Sequence, residues 1–438
     1  MSFTRPMLAL ALVMLAVGCV TQTADPEIDM DQLAESYVKF VLAVGQHDQD
    51  FFDAYFGPES WKTEARDSAL SLSEIGERAR QTLVDLGALA PPVGEDEIEA
   101  LRHGHLIRSL ESLIARVDLL SGGTMTFDEE SRALYDAVAP SYDEAHFEEI
   151  LSRLDELLPG EGPLIERYET FKRDFIIPAD RLDAVFSAAI DACREQTLAR
   201  LELPADESFT VEYVTGKSWS GYNWYQGAYR SLIQVNTDLP IYIDRALDLA
   251  CHEGYPGHHV YSIVVERDLF RQRGWIEFSV YPLFSPRSLI AEGTANFGIE
   301  VAFPGEERLE FERQVLFPLA GLDPDRTAEF AKVQEIVKQL GYAGNEAARR
   351  YLDGEIGPAE AAAWLSRFAM MPPDRAVQRV GFIDQYRSYV INYNLGQDLV
   401  RQYVEARGGT AENPDRRWRE FGALLSSPRL PSGLGEQG

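Results

Sequence analysis

Three of the chain's seven histidines and one glutamate fall within the nine residues Cys251-His252-Glu253-Gly254-Tyr255-Pro256-Gly257-His258-His259. Neutral imidazoles next to a carboxylate are the side chains from which hydrolytic metal sites are made: three protein ligands, an open position for water and a nearby base. On a regular helix the two histidines of such a site stand at i and i+4, on one face, with the glutamate following the first. Counted from His252, position i+4 is Pro256, so a regular helix cannot form the site. Gly254, Pro256 and Gly257 are poor helix-interior residues, and Pro256 also disfavours helical geometry at Tyr255. The helix is therefore expected to break, and an excursion of two residues brings His258 to where i+4 would have been. His259, at i+7, shares a face with His252 but lies about two turns away on an unbroken helix. His258 is thus the preferred second ligand and His259 the alternative.

A third ligand has to come from a separate element. Ala291-Glu292-Gly293-Thr294-Ala295-Asn296 fits, because small residues around Glu292 would let its helix approach the motif helix closely. Glu266 and Glu300 are weaker alternatives without such neighbours. Glu253 projects about 100° away from His252, which suits a general base better than a ligand. Four residues before His252, Asp248 could orient its imidazole or be a plain surface aspartate.

The surrounding elements follow from the hydrophobic pattern. From residue 31 to about 200 apolar residues recur three and four apart, as in Leu33-Tyr37-Val41 and Leu101-Leu106-Leu110-Leu113, with breaks at Gly57-Pro58, Pro91-Pro92, Gly122-Gly123 and Pro159-Gly160. Phe209 to Val214 and Tyr229 to Val235 are β-branched and aromatic and predict two strands. The second could be an edge strand that an extended peptide joins. A helical pattern resumes near Tyr242 and carries the histidine block, and the rest of the chain is helical again. The fold class is therefore mainly α with a small β-sheet next to the active-site helix. The parts are residues 1–18, 19–30, 31–200 and 201–430, the last carrying the metal site and continuous with the preceding helices.

Composition limits the partners. A formal net charge of -30 repels phosphate backbones, and no basic cluster offsets it, so nucleic acid is excluded as a partner. Anionic membrane surfaces are disfavoured for the same reason. The first 18 residues read as an export signal: Arg5 precedes an apolar run from Met7 to Val17, too short to span a bilayer comfortably. Ala16-Val17-Gly18-Cys19 resembles a bacterial lipobox, which implies lipidation of Cys19, a tether over 19–30 and attachment to the cell envelope. Cys193 and Cys251 are the remaining cysteines and could form one bridge, a pairing the sequence leaves open.

The block His252 to His259, followed by Glu292-Gly293, resembles the bacterial family named domain of unknown function 885, which belongs with the gluzincin-like metallopeptidases. Asp53-Ala54-Tyr55-Phe56-Gly57-Pro58, Ala347-Ala348-Arg349-Arg350 and Tyr393-Asn394-Leu395-Gly396 extend the resemblance over nearly all of the chain after the export signal. The chain is short for that family and lacks, in Tyr351-Leu352-Asp353-Gly354-Glu355, a histidine that relatives often carry. The resemblance implies a multi-helix gluzincin-like metallopeptidase fold, zinc held by His252, His258 and Glu292, Glu253 as general base and a peptide substrate. Tyr393 is the expected donor to the developing oxyanion, with Tyr389 and Arg387 as alternatives and core packing as the competing role for Tyr393. The competing function is a noncatalytic, zinc-stabilised envelope lipoprotein that binds a ligand or a protein partner. Glu253 argues against it, since a structural site needs no base.

Overall fold

The structure, a computed structural model, describes Met1 and residues 29–89 and 97–435. Cys19, the lipobox-like residues and the tether lie outside the described residues. Among the described residues no helix is long and apolar enough to cross a membrane.

The chain is mainly α, with two small sheets among the described residues. Helix α1 (Met30–Val44) begins on Asp29, whose carboxylate accepts from the Gln32 amide, and buries its apolar face in a core shared with α2 (Glu97–Leu120). Residues from the second half of the chain complete this core: Val280, Phe284 and Leu289 join it, as do Tyr389 to Ile391 from near the end. A second core collects α3 (Leu182–Leu198), α4 (Ile243–Leu249) and α5 (His258–Val264) around Phe175, Phe297, Phe317 and Phe421. The 31–200 and 201–430 lengths thus pack against each other through shared hydrophobic cores.

Strand β1 (Phe52–Tyr55) pairs antiparallel with β5 (Val280–Pro282). The other sheet has three strands in the order β2 (Ser208–Val214), β4 (Arg230–Asn236), β3 (Gly221–Gly227), with β2 parallel and β3 antiparallel to β4. The segment expected as an edge strand is therefore the central one, flanked on both sides. The edge strand that lines the cleft beside the histidine block is β3, a strand the hydrophobic pattern does not predict. Its residues Gly-Tyr-Asn-Trp-Tyr-Gln-Gly include aromatic strand formers but no β-branched side chain, and the bounding glycines and the asparagine weaken the strand signal. Ala228 and Tyr229, both at positive φ, close the tight β3–β4 hairpin.

Helix α6 (Pro286–Ala302) is buried along almost its whole length, starts with proline at its first position, and crosses α8 (Ile391–Ala406). At the crossing a side chain on Gly293 would collide with the backbone of Gly396, and one on Gly396 would stand 2.7 Å from the Leu289 carbonyl oxygen. The smallness of Gly293 thus serves the approach to α8 and not, as its sequence context suggested, the approach to the motif helix. Gly298 serves the latter, lying against Pro256.

Candidate metal centre

The motif helix does break at Tyr255 to Gly257. Helix α4 runs into a π-helical turn over Ala250–Gly254, Tyr255 is extended, and the Tyr255-Pro256 bond is cis. The Gly257 N–H then donates to the Cys251 carbonyl, a closure over six residues where a regular helix closes over four, and Tyr261 N–H to Gly257 O resumes the helical pattern. Two residues have been looped out. Gly257 is required at this point, because any Cβ would collide with the carbonyl oxygens of Cys251 and His252.

The break brings His258 to His252. Their Nε2 atoms are 3.2 Å apart, with Glu292 Oε2 3.3 Å from His252 Nε2 and Glu292 Oε1 3.6 Å from His258 Nε2. These are the separations expected between donors that share one small cation: for bonds of about 2.0–2.1 Å the edge of a tetrahedron is roughly 3.3–3.4 Å. His252, His258 and Glu292 together could hold a metal ion. Two imidazole nitrogens face each other, and Glu292 Oε2 is buried without a hydrogen-bond partner among the described residues. Burial opposes the charged form of His258, yet Glu292, Glu253 and Asp53 outweigh it and push its pKa up to about 9. Burial likewise opposes ionisation of Glu292, but the two histidines hold it well below the usual carboxylate range. The field here favours positive charge, and the donor set fits a divalent cation.

The orientation of His252 is set by Asn296, whose residue type and position carry no metal-site signal of their own. Asn296, one turn after Glu292 on α6, donates through Nδ2 to the Tyr393 carbonyl (2.9 Å), so its Oδ1 faces His252 Nδ1 at 3.0 Å. His252 Nδ1 must then carry the proton, which leaves the Nε2 lone pair pointing at His258 and Glu292. Asp248 does not share in this. Asp248 instead pairs with Arg308 (2.9 Å) and Arg245 (3.4 Å). Tyr389 donates to Glu292 Oε1 (2.8 Å), fixing the carboxylate from the side away from His252.

His259 is turned to the opposite side of the motif. Fully buried, it meets Ser231 Oγ through Nδ1 (2.8 Å) and Glu207 Oε2 through Nε2 (3.0 Å). Glu207 also accepts from Tyr255 (2.5 Å) and Arg194 (2.8 Å), so it clamps both ends of the break from outside. The other carboxylates considered as ligands are engaged elsewhere. Glu266 is buried and accepts from Tyr225, the Ala228 amide and Arg271, whereas Glu300 pairs with Lys338 and Arg401. A disulfide between Cys193 and Cys251, with Cα atoms 5.7 Å apart, ties α3 to the residue before His252.

Glu253 lies beside the triad, its Oε1 4.0 Å from His252 Nε2, and its own carbonyl accepts from Asn223 on β3 (2.7 Å). All four side chains line one cleft of about 1370 Å³. Asp53 also faces it; burial first of all, despite a hydrogen bond with Tyr222, pushes its carboxyl up to about 7. Of the three side chains considered as oxyanion donors, Arg387 pairs with buried Glu130 (2.7 Å) and Tyr389 is committed to Glu292. Tyr393 lines the cleft, and its hydroxyl has no hydrogen-bond partner among the described residues. Burial, then the charge of Glu292, raises its pKa well above the ordinary value, keeping the proton in place for donation.

Neither a protein-family model nor a curated protein matches the chain. Among solved structures, it is similar to a "putative lipoprotein" from Colwellia psychrerythraea, with a TM-score of 0.51 and 13% identity over 92% of this chain and 73% of that one. The likeness is one of fold. Two further similar structures are a protein called CHT (TM-score 0.48, 11% identity, 91% of this chain and 92% of that one) and an M32 carboxypeptidase from Deinococcus radiodurans R1 (TM-score 0.38, 15% identity, 91% and 90%).

Proposed function

We propose that this protein is a zinc-dependent hydrolase that cleaves peptide bonds, a member of the domain-of-unknown-function-885 group of gluzincin-like metallopeptidases. The observation that carries the reading is Glu253. It stands next to a complete three-donor set without being needed to close it, on the wall of a cleft roomy enough for a stretch of peptide. A purely structural site closes its fourth position with a side chain and has no use for a free carboxylate.

Bound zinc would supply Lewis acidity towards the substrate carbonyl and would lower the pKa of water to about 7. The remaining work falls to this chain's own residues. Glu253 accepts the proton of the attacking water and returns it to the leaving amine. Tyr393 donates its hydroxyl to the carbonyl oxygen as negative charge grows there. Asn296 and Tyr389 hold His252 and Glu292 in place, so that little reorganisation is needed when the charge moves. An extended peptide can pair with the edge strand β3, whose Gly221, Tyr222 and Asn223 line the cleft. Export and lipidation at Cys19 would place the reaction at the cell envelope, where the Cys193–Cys251 disulfide is stable.

The test is turnover of a peptide pool, followed by mass spectrometry, by the parent and by Glu253→Gln. The variant should keep its metal and its fold and lose hydrolysis by roughly 10²- to 10⁴-fold. Unchanged turnover would reject Glu253 as the base; a metal-loaded parent inert towards every peptide would favour the noncatalytic reading.

A further inference from the structure

One cleft wall carries an arginine with neither a hydrogen-bond nor an ion-pair partner among the described residues. Helix α7 (Pro373–Tyr386) turns Arg375, Gln378, Arg379 and Phe382 towards the cleft, at the i, i+3, i+4, i+7 spacing of one helical face. Gln378 is used by the Lys217 carbonyl (3.0 Å) and Arg375 reaches the Pro240 carbonyl (3.4 Å). Arg379 makes neither a hydrogen bond nor an ion pair with any described residue. Its guanidinium rests against the rings of Phe382 (4.5 Å) and Tyr393 (5.7 Å). Tyr393 is the side chain assigned above to the oxyanion, so Arg379 stands at the reacting end of the cleft.

The absence of a partner is notable in this chain. Acidic residues outnumber basic ones 71 to 41, and cleft-lining Arg308 and Arg401 each have carboxylates, as do partly buried Arg349 and Arg387. Burial works against the charge on Arg379, and the groups that favour it are Tyr393 and Glu292, whose carboxylate is one of the three metal donors. A half-buried guanidinium with no carboxylate beside it is the donor best matched to one, which it can bind through two parallel N–H bonds.

We infer that Arg379 anchors a carboxylate of the substrate, either the free C-terminus of a peptide or an acidic side chain near the cleaved bond. This rests on the peptidase reading for the word peptide, but the anchor itself is a binding property and can be measured without turnover. Selection then comes from the substrate's charge, while β3 contributes backbone pairing that is indifferent to sequence.

The experiment uses the full chain in a Glu253→Gln background, so that peptides are bound but not consumed, and isothermal titration with two matched pairs. One pair differs only in a C-terminal acid against a C-terminal amide; the other, amidated throughout, differs in one internal Glu against Gln. In at least one pair the carboxylate peptide should bind ~10- to 100-fold tighter, the range of a charge-assisted hydrogen bond, and the responding pair identifies the source. Adding Arg379→Gln should bring that ratio to about one, and Arg379→Lys should retain part of it, with melting temperature and metal content unchanged. A ratio near one in both pairs, or a ratio that survives Arg379→Gln, overturns the inference. Turnover by the parent separates the two ideas. Equal hydrolysis and equal binding of all peptides would discard the anchor and keep the peptidase; discrimination in binding without hydrolysis of any peptide would keep the anchor and discard the peptidase.

Discussion

His258 and His259 are neighbours in sequence, each within reach of a glutamate, and they differ in almost everything that matters for chemistry. On the sheet side, His259 has both ring nitrogens satisfied: Ser231 faces Nδ1, and Nε2 meets Glu207. Burial holds its pKa below the ordinary value, so the ring is a neutral link between two elements. On the cleft side, His258 Nε2 points at another imidazole nitrogen and at a carboxylate that has an oxygen to spare. The difference lies in what each ring faces: the fully buried His259 meets groups that complete its hydrogen bonds, and the half-buried His258 opens on the cleft. A histidine whose partners complete its hydrogen bonds is a structural link, and one that faces an imidazole nitrogen and a carboxylate has surroundings that suit a cation.

That contrast can be sharpened from either side. On the cleft side, Asn296→Ala removes the group that fixes the His252 tautomer while leaving all three donors in place. Metal affinity should fall by about 10- to 100-fold, as for other groups that orient a ligand, read by competition with a chromogenic chelator. An unchanged affinity would mean that the hydrogen bond to Asn296 does not set the ligand. On the sheet side, Glu207→Gln should leave metal affinity close to the parent's and act on stability instead. Burial opposes ionisation of Glu207, but His259, Tyr255 and Arg194 prevail and hold its pKa at about 2, below the ordinary 4.5. A depressed carboxylate stabilises the fold above its unfolded value, and that contribution is lost as pH falls through the folded one. Between pH 4.5 and about 2 the parent should therefore lose stability more steeply than the variant, with the variant the weaker of the two at neutral pH by roughly 1–3 kcal/mol. Urea midpoints across that range check it; parallel slopes would break the account of the sheet side.

The sheet side is also where the sequence was least legible. Within the nine-residue block, Pro256 and Gly257 announce the break, and the count of two extra residues follows from where the next histidine stands. Glu292 could be found because glycine and alanine surround it, although Gly293 turned out to make room for Gly396 and not for the motif helix. Asn296 was not singled out, although it stands at i+4 from Glu292, the spacing that puts two side chains on one helical face. Glu207 carried no such signal: it lies 45 positions before His252, and its clamp on Tyr255 and His259 exists only once the sheet has formed. Strand β3 was missed for a related reason. Its tyrosines, asparagine and glycines are suited to lining a cleft, and a strand that makes a binding surface has less need of the β-branched pattern that marks a packed one. The helical majority was readable because its apolar period of three to four repeats over many turns.

The claim on which the rest depends is that His252, His258 and Glu292, and not His259, hold one metal ion. It is tested most directly by elemental analysis of the parent, His252→Ala, His258→Ala and His259→Ala, each purified without added metal and normalised to folded protein. The account predicts one zinc per chain in the parent and in whatever His259→Ala protein folds, and loss of zinc from the other two. Full zinc in His258→Ala together with loss from folded His259→Ala would contradict it.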